Sequence, residues 1–594
     1  MSERIREWEG HQLVWTALHL GIPAVVVGLG AGLAAVGFRW LIQAATQVFS
    51  GAADYSATIG HPANPWVPWL GGAFVIIAPA IGGAIYGPLV QKFAPEARGH
   101  GVPEVMFAVA KNGGRIRPQV AVVKALASAI TIGSGGSVGR EGPIIQIGSA
   151  LGSTLGRLLK MPDDRLKTLV ACGAAGAIAA TFNAPIAGVF FALEIILRDF
   201  TARSFGVVVL ASISASVVGR ALLGSNPFLS LPSFTVHANI EYALFALLGI
   251  IAGLVGVGFT RVLYAIEDLC DFLWRGPEWL RPVAGGLLLG GLLFVLPQMY
   301  GVGYPVLDNG VAGKYALGFL LVLLVGKIIA TSLTLGIGGS GGVFAPSLFV
   351  GAMLGAAFGQ VIGLIDPALA GQAGAFAIVG MGATMAGTTR APITAGIMLF
   401  ELTGDYSIIL PLLLAIVLAT GTSRLLGKDT IYTLKLRRRG IDLDAPAAPS
   451  APPPAIVDRS TRRVADAMRT DAPFLRATEP LSDGLLTLLS SGRPALAVTD
   501  NNGRYLGVLS SKPLPSLASD ATKHDWTVAD AVVEYPVCLA PMTLADAQAA
   551  LPNHSGDAGL PVVDTGLRLV GWLDAAQLAG PHTSNHPALE TEPA

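Results

Sequence analysis

The sequence predicts an all-α polytopic membrane unit built from an inverted internal repeat, followed by a cytosolic α/β pair. Three observations lead there. Of 594 residues, 52% are hydrophobic and 13% charged, with a mean hydropathy of +0.60, which is too apolar for a soluble chain of this length. Punctuation recurs in two halves: Pro143 and Pro346, Gly148 and Gly351, and Gly152 and Gly355 each stand 203 residues apart, while Pro185 and Pro392, and Glu194 and Glu401, stand 207 apart. After Leu426 the composition turns polar. Chance matches among 74 glycines are the alternative, but two ordered blocks at nearly one offset argue against it. In transporters such halves are often inverted, with broken helices meeting at a midplane site.

Residues 1–12 are polar, with Arg4 and Arg6, and read as a cytosolic N-terminus by the positive-inside tendency. The apolar stretch that follows is too long for a signal-peptide core. Residues 13–427 carry recurring apolar stretches, among them Leu13–Trp40, Trp66–Leu89, Phe205–Leu222, Tyr242–Tyr264, Val283–Leu296, Ala316–Leu335 and Ile408–Leu425. They form the transmembrane domain, in contact with lipid. Residues 428–459 hold a basic cluster, Lys435, Arg437, Arg438 and Arg439, and then the Ala/Pro-rich Asp442–Ala455, expected as a juxtamembrane patch and a semi-rigid linker. Residues 460–580 contain a second repeat, with Val464 and Val528, and Gly507 and Gly571, each 64 apart. Each copy has a helix-like start and a later β-rich segment with a turn, Ala495–Leu509 and Gly559–Leu573. Residues 581–594 are expected to be a disordered tail.

Charge and composition exclude other classes. Lys plus Arg (39) balance Asp plus Glu (39), so no global field points to nucleic acid. Cys172, Cys270 and Cys538 are far apart and read as buried thiols rather than a metal knuckle. No metal or other cofactor is expected. Gly133–Gly139 lacks the Gly-Lys-Ser/Thr ending of a phosphate loop, and no nucleophile and base are paired in the pattern, so the chain does not read as an enzyme.

The chemistry concentrates in Gly133–Pro143, a glycine-rich break between the apolar runs Val120–Ile132 and Ile144–Leu159. Arg140 and Glu141 lie there, and charges at membrane depth are costly and functional by default. Pro143 suits the first turn of a helix, whose N-terminal N–H groups bind anions. Glu141 would then be a tethered anion inside an anion site, present when ionised and absent when protonated, which makes it a gate. A solvated surface loop is the competing reading of this stretch.

Four motifs in order resemble the CLC family of chloride channels and proton-coupled chloride transporters: Gly99-His100-Gly101-Val102-Pro103-Glu104, Gly139-Arg140-Glu141-Gly142-Pro143, Gly342-Val343-Phe344-Ala345-Pro346, and Tyr406 after Gly404-Asp405. The resemblance spans about Leu13 to Leu426. It implies a homodimer with one anion pathway per subunit and inverted halves in each. It also implies that Val343 and Phe344 N–H groups and the Tyr406 hydroxyl bind the central anion, with His100, Gly101, Arg140, Gly142 and Ala345 around it and Glu141 as external gate. Such donors replace water around an anion without a full counter-charge, so the ion can leave again. The C-terminal pair resembles tandem CBS domains.

Three positions depart from the family pattern. His100 stands where many members have a serine; an imidazole can also donate, and a protonated one would hold the anion harder, unless it faces away. Ile195 stands where proton-coupled members usually carry a glutamate, which weakens coupling without excluding it. Pro513 and Gln577 stand where nucleotide-binding CBS modules place a ribose-holding aspartate, so adenine nucleotide binding is not expected. The sequence thus reads as a chloride transporter, with nitrate as a second candidate ion, in a bacterial inner membrane with its CBS pair in the cytosol. Proton antiport gated by Glu141 leads. A passive gated channel and a non-conducting CBS-regulated receptor are the alternatives.

Overall fold

The computed structural model describes residues 2–57, 62–224, 239–367, 373–443, 463–491, 493–510, 526–549 and 559–574. They fall into two compact units, Met1–Asp444 and Ala445–Ala594.

The first unit is helical. In chain order its helices are α1 (Ser2–Ser50), α2 (Phe74–Phe93), α3 (Val102–Lys111), α4 (Gln119–Gly133), α5 (Glu141–Leu158), α6 (Asp163–Phe182), α7 (Pro185–Phe191), α8 (Ala202–Leu223), α9 (Asn239–Leu273), α10 (Arg281–Val295), α11 (Tyr304–Val311), α12 (Leu317–Gly336), α13 (Phe344–Ile365), α14 (Ala373–Thr389), α15 (Pro392–Thr403), α16 (Ile409–Leu426) and α17 (Thr433–Arg438). Nine helices among the described residues are long and apolar enough to cross a membrane. The polar residues 2–12 simply continue α1.

The repeat in the sequence is a repeat in space, and its halves exchange equivalent bonds. The Ser137 N–H donates to Thr334 Oγ1 at 3.1 Å, and the Ser340 N–H donates to Thr131 Oγ1 at 3.3 Å. That reciprocity is what an approximate two-fold axis between the halves requires. Helix crossings obey it as well. A Cβ on Gly148 would meet the Gly173 carbonyl at 2.2 Å, and one on Gly351 would meet the Gly380 carbonyl at 2.3 Å. Without side chains there, α5 lies directly on α6 and α13 on α14, the close approach by which helices associate in lipid.

Residues 428–443 do not form the expected linker. Ile431, Tyr432 and Leu436 are buried in the core of the first unit. The basic cluster is paired within the protein: Lys435 with Glu267, Arg437 with Asp429 and Asp442, Arg438 with Asp268, and Arg439 with Glu104. The composition could not reveal this, because α9 and α3 supply most of the carboxylates from far away in sequence.

The second unit contains two small sheets of like topology. In one, β1 (Phe474–Arg476) runs parallel to β2 (Ala495–Thr499), which is antiparallel to β3 (Tyr505–Ser510). In the other, β4 (Cys538–Leu539), β5 (Leu560–Val563) and β6 (Leu569–Leu573) repeat that order. Helices α18 (Leu481–Ser491) and α19 (Leu544–Ala549) accompany them. The two β-rich segments expected from the sequence are the β2–β3 and β5–β6 hairpins. Burial pushes the Cys538 thiol up to about 11, so it stays an unreactive core group. Pro513, Gln577 and residues 581–594 lie outside the described residues.

Candidate anion site

The two glycine breaks are stitched together. The Gly139 N–H donates to the Gly342 carbonyl at 2.8 Å and the Gly342 N–H to the Gly139 carbonyl at 2.6 Å, while the Gly99 N–H donates to the Gly339 carbonyl at 3.2 Å. As a result the loop before α3 and the N-termini of α5 and α13 converge. Gly142 must lack a side chain, since a Cβ there would meet the His100 carbonyl at 2.0 Å. Gly101 caps α3 at φ 84°, a conformation that favours glycine.

Glu141 opens α5 and is fully buried. Its Oε2 accepts from the Ala345 N–H at 3.3 Å, and its Oε1 accepts from the Tyr304 hydroxyl at 2.7 Å. The carboxylate therefore occupies the N-terminus of α13, where unsatisfied N–H groups and the positive end of the helix dipole favour an anion. Val343 caps that helix, and Phe344 and Ala345 begin it, all three buried. The Phe344 ring packs against Phe182 and Phe191, with centroids at 5.7 and 6.5 Å, which keeps the surroundings apolar.

His100 is 5% exposed and its Nδ1 has no hydrogen-bond partner. Its ring lies 6.2 Å from that of Tyr264, whose hydroxyl donates to the Ile431 carbonyl at 2.6 Å. Tyr432 follows, fully buried in the same core. Tyr406 is elsewhere: it is 79% exposed in the α15–α16 loop. Expecting Tyr406 at the central anion was wrong; the tyrosines the fold buries on the His100 side are Tyr264 and Tyr432. The short segment Ile431-Tyr432 sits among charged residues with no motif, so only its packing under α14 reveals it; the Ile431 N–H donates to the Thr388 carbonyl.

Arg140 caps α5 from the edge of a cavity of about 310 Å³, shared with Arg39, Asp54, Tyr304 and Asp308. Ile195 is buried in a π-helical turn, Ala192–Leu197, that continues α7. No proton-carrying group stands at that position.

Sequence reasoning missed two lysines. Lys124 on α4 is fully buried and donates to the Ala97 and Gly99 carbonyls at 2.9 and 2.7 Å. Lys327 on α12 is equally buried and donates to the Gly301 and Val302 carbonyls at 3.2 and 2.9 Å. Each ties down the loop before a short helix in its own half. The signal was available: they are lone cations in apolar runs, 203 residues apart.

Comparison with known proteins agrees with this geometry. Residues 82–424 match the model of the voltage gated chloride channel family, and residues 464–512 match the CBS domain. The chain is 34% identical to the H(+)/Cl(-) exchange transporter ClcA of Vibrio campbellii, over 71% of this chain and 90% of the relative. It is 32% identical to a putative chloride channel protein ClcB-like of Ralstonia nicotianae, over 70% and 97%. Among solved structures, a slow cyanobacterial Cl-/H+ antiporter superposes with a TM-score of 0.63 at 28% identity, covering 71% of this chain and 97% of its own. A eukaryotic CLC transporter shares the fold, with a TM-score of 0.61 at 20% identity, over 94% and 98%. Two glycine-broken helices facing one buried carboxylate, the family match across that region and the small sheets that follow it have one explanation: the chain is an integral, multi-pass member of the voltage gated chloride channel (CLC) family with C-terminal CBS domains.

Proposed function

We propose that this protein exchanges chloride for protons across the membrane, with Glu141 as the gate. One observation carries the reading: an ionisable carboxylate fills the N-terminus of α13, so chloride and Glu141 compete for the same N–H donors. Protonation removes the carboxylate's charge and its claim on those donors. Chloride then enters, and the proton moves the other way when the gate recloses. Nitrate shares the charge and could use the same donors. Each subunit of a homodimer would hold its own pathway. The protein would lie in a bacterial inner membrane with its N-terminus and CBS domains in the cytosol, and its CBS pair would work without adenine nucleotide.

Ile195 favours a second reading, a passive channel, because the usual internal proton carrier is gone. For exchange, water must carry the proton, and a cavity of about 780 Å³ beside the π turn, bounded by Asp164, Ile196 and Asp199, offers room for it. Purified protein in liposomes under a chloride gradient decides. Uphill proton uptake supports exchange; chloride flux with no proton movement establishes the channel; neither flux leaves a receptor.

A further inference from the structure

We infer that Tyr304 is a positioning residue that latches the Glu141 gate shut from the vestibule side, which rests on the reading of Glu141 as gate. The α13 N-terminus holds only one carboxylate oxygen, and at 3.3 Å that contact is at the long end of hydrogen bonding. The other oxygen is held at 2.7 Å by the Tyr304 hydroxyl, the length of a strong O–H donation to an anion.

Tyr304 is itself well anchored. It opens α11 behind Gly303, which adopts φ 86°, and Pro305 follows. Lys327 clamps the carbonyls of the preceding loop and also donates to Ser137 Oγ at 2.9 Å. The Arg140 guanidinium lies over the phenol ring, 5.1 Å from its centroid. A cation on the phenol polarises its O–H toward the carboxylate. Tyr304 lines the 310 Å³ vestibule together with Arg39 and Arg140, so the latch is reachable from the bulk phase on that side, unlike the buried carboxylate behind it.

Repeat symmetry supports a dedicated role. The Gly99-His100-Gly101-Val102-Pro103 loop matches Gly301-Val302-Gly303-Tyr304-Pro305, 202 residues on. Both loops are tied by an equivalent lysine, yet where one half has Val102 the other has Tyr304. Loop geometry needs no phenol at this position, and the hydroxyl is spent on the gate.

A double-mutant cycle in proteoliposomes tests this. Tyr304→Phe should raise chloride turnover near pH 7 by on the order of tenfold, the effect of losing one hydrogen bond to a charged group. Its acid activation should begin at higher pH, with Arg140 over the phenol ring and Lys327 on the loop before it left unchanged. In a Glu141→Ala background the same change should add nothing, because the acceptor is gone. Tyr304→Phe turnover equal to wild type overturns the latch, as does an equal effect of Tyr304→Phe with and without Glu141. Loss of flux in the double variant assigns Tyr304 to structure and overturns it too. Glu141→Ala that retains wild-type gating instead overturns the gate itself, so the two failures are distinguishable.

Discussion

Glu194 and Glu401 cap each other's helices. Glu194 accepts from the Ile393 and Thr394 N–H groups of α15 at 3.2 and 2.8 Å and from the Thr394 hydroxyl at 2.6 Å. Glu401, on α15, accepts from the Ile186 and Ala187 N–H groups of α7 at 3.0 and 2.7 Å. Each carboxylate sits at the positive end of the other half's helix, where a cap is worth about 1–2 kcal/mol.

This pairing separates Glu194 from proton transport although it neighbours Ile195. Glu194→Gln and Glu401→Gln should each lower thermal stability in detergent by about 1–2 kcal/mol. The ratio of protons to chloride moved should stay at the wild-type value. A changed ratio in Glu194→Gln alone would return that residue to the proton route.

Glu141→Gln keeps shape but removes the charge that competes with chloride. Chloride flux in liposomes should persist and become independent of the proton gradient and of external pH. Flux that still follows pH would place the gate elsewhere.

Burial separates the two tyrosines. Tyr432 is fully buried, and Tyr432→Phe should change chloride affinity several-fold, the effect of one lost hydrogen bond. Tyr406→Phe, on an exposed loop, should leave affinity unchanged. Isothermal titration with chloride distinguishes them, and the reverse pattern would restore the motif-based assignment.

His100 has a buried nitrogen without a partner, and such groups ordinarily find one. An anion in the pathway can serve when the imidazole presents an N–H there. His100→Ser should therefore shift the chloride to nitrate preference measured by reversal potentials. An unchanged preference would mean that the ring faces away from the ions.

The sequence by itself determined the class of this protein. Hydropathy set the membrane unit, glycine and proline spacing exposed the two halves, and Glu141 stood out because a carboxylate in an apolar, glycine-rich break has few purposes besides function. Those signals are local or periodic, so they survive in one dimension. What only the tertiary structure decided depends on pairing across long separations. Tyr304 lies 163 residues from Glu141, Arg439 lies 335 from Glu104, and Tyr432 is buried within a segment that composition assigns to a linker. Whether a tyrosine donates to a gate or lies exposed on a loop is set by which neighbours the fold brings up to its hydroxyl, and residue type and motif carry no record of that.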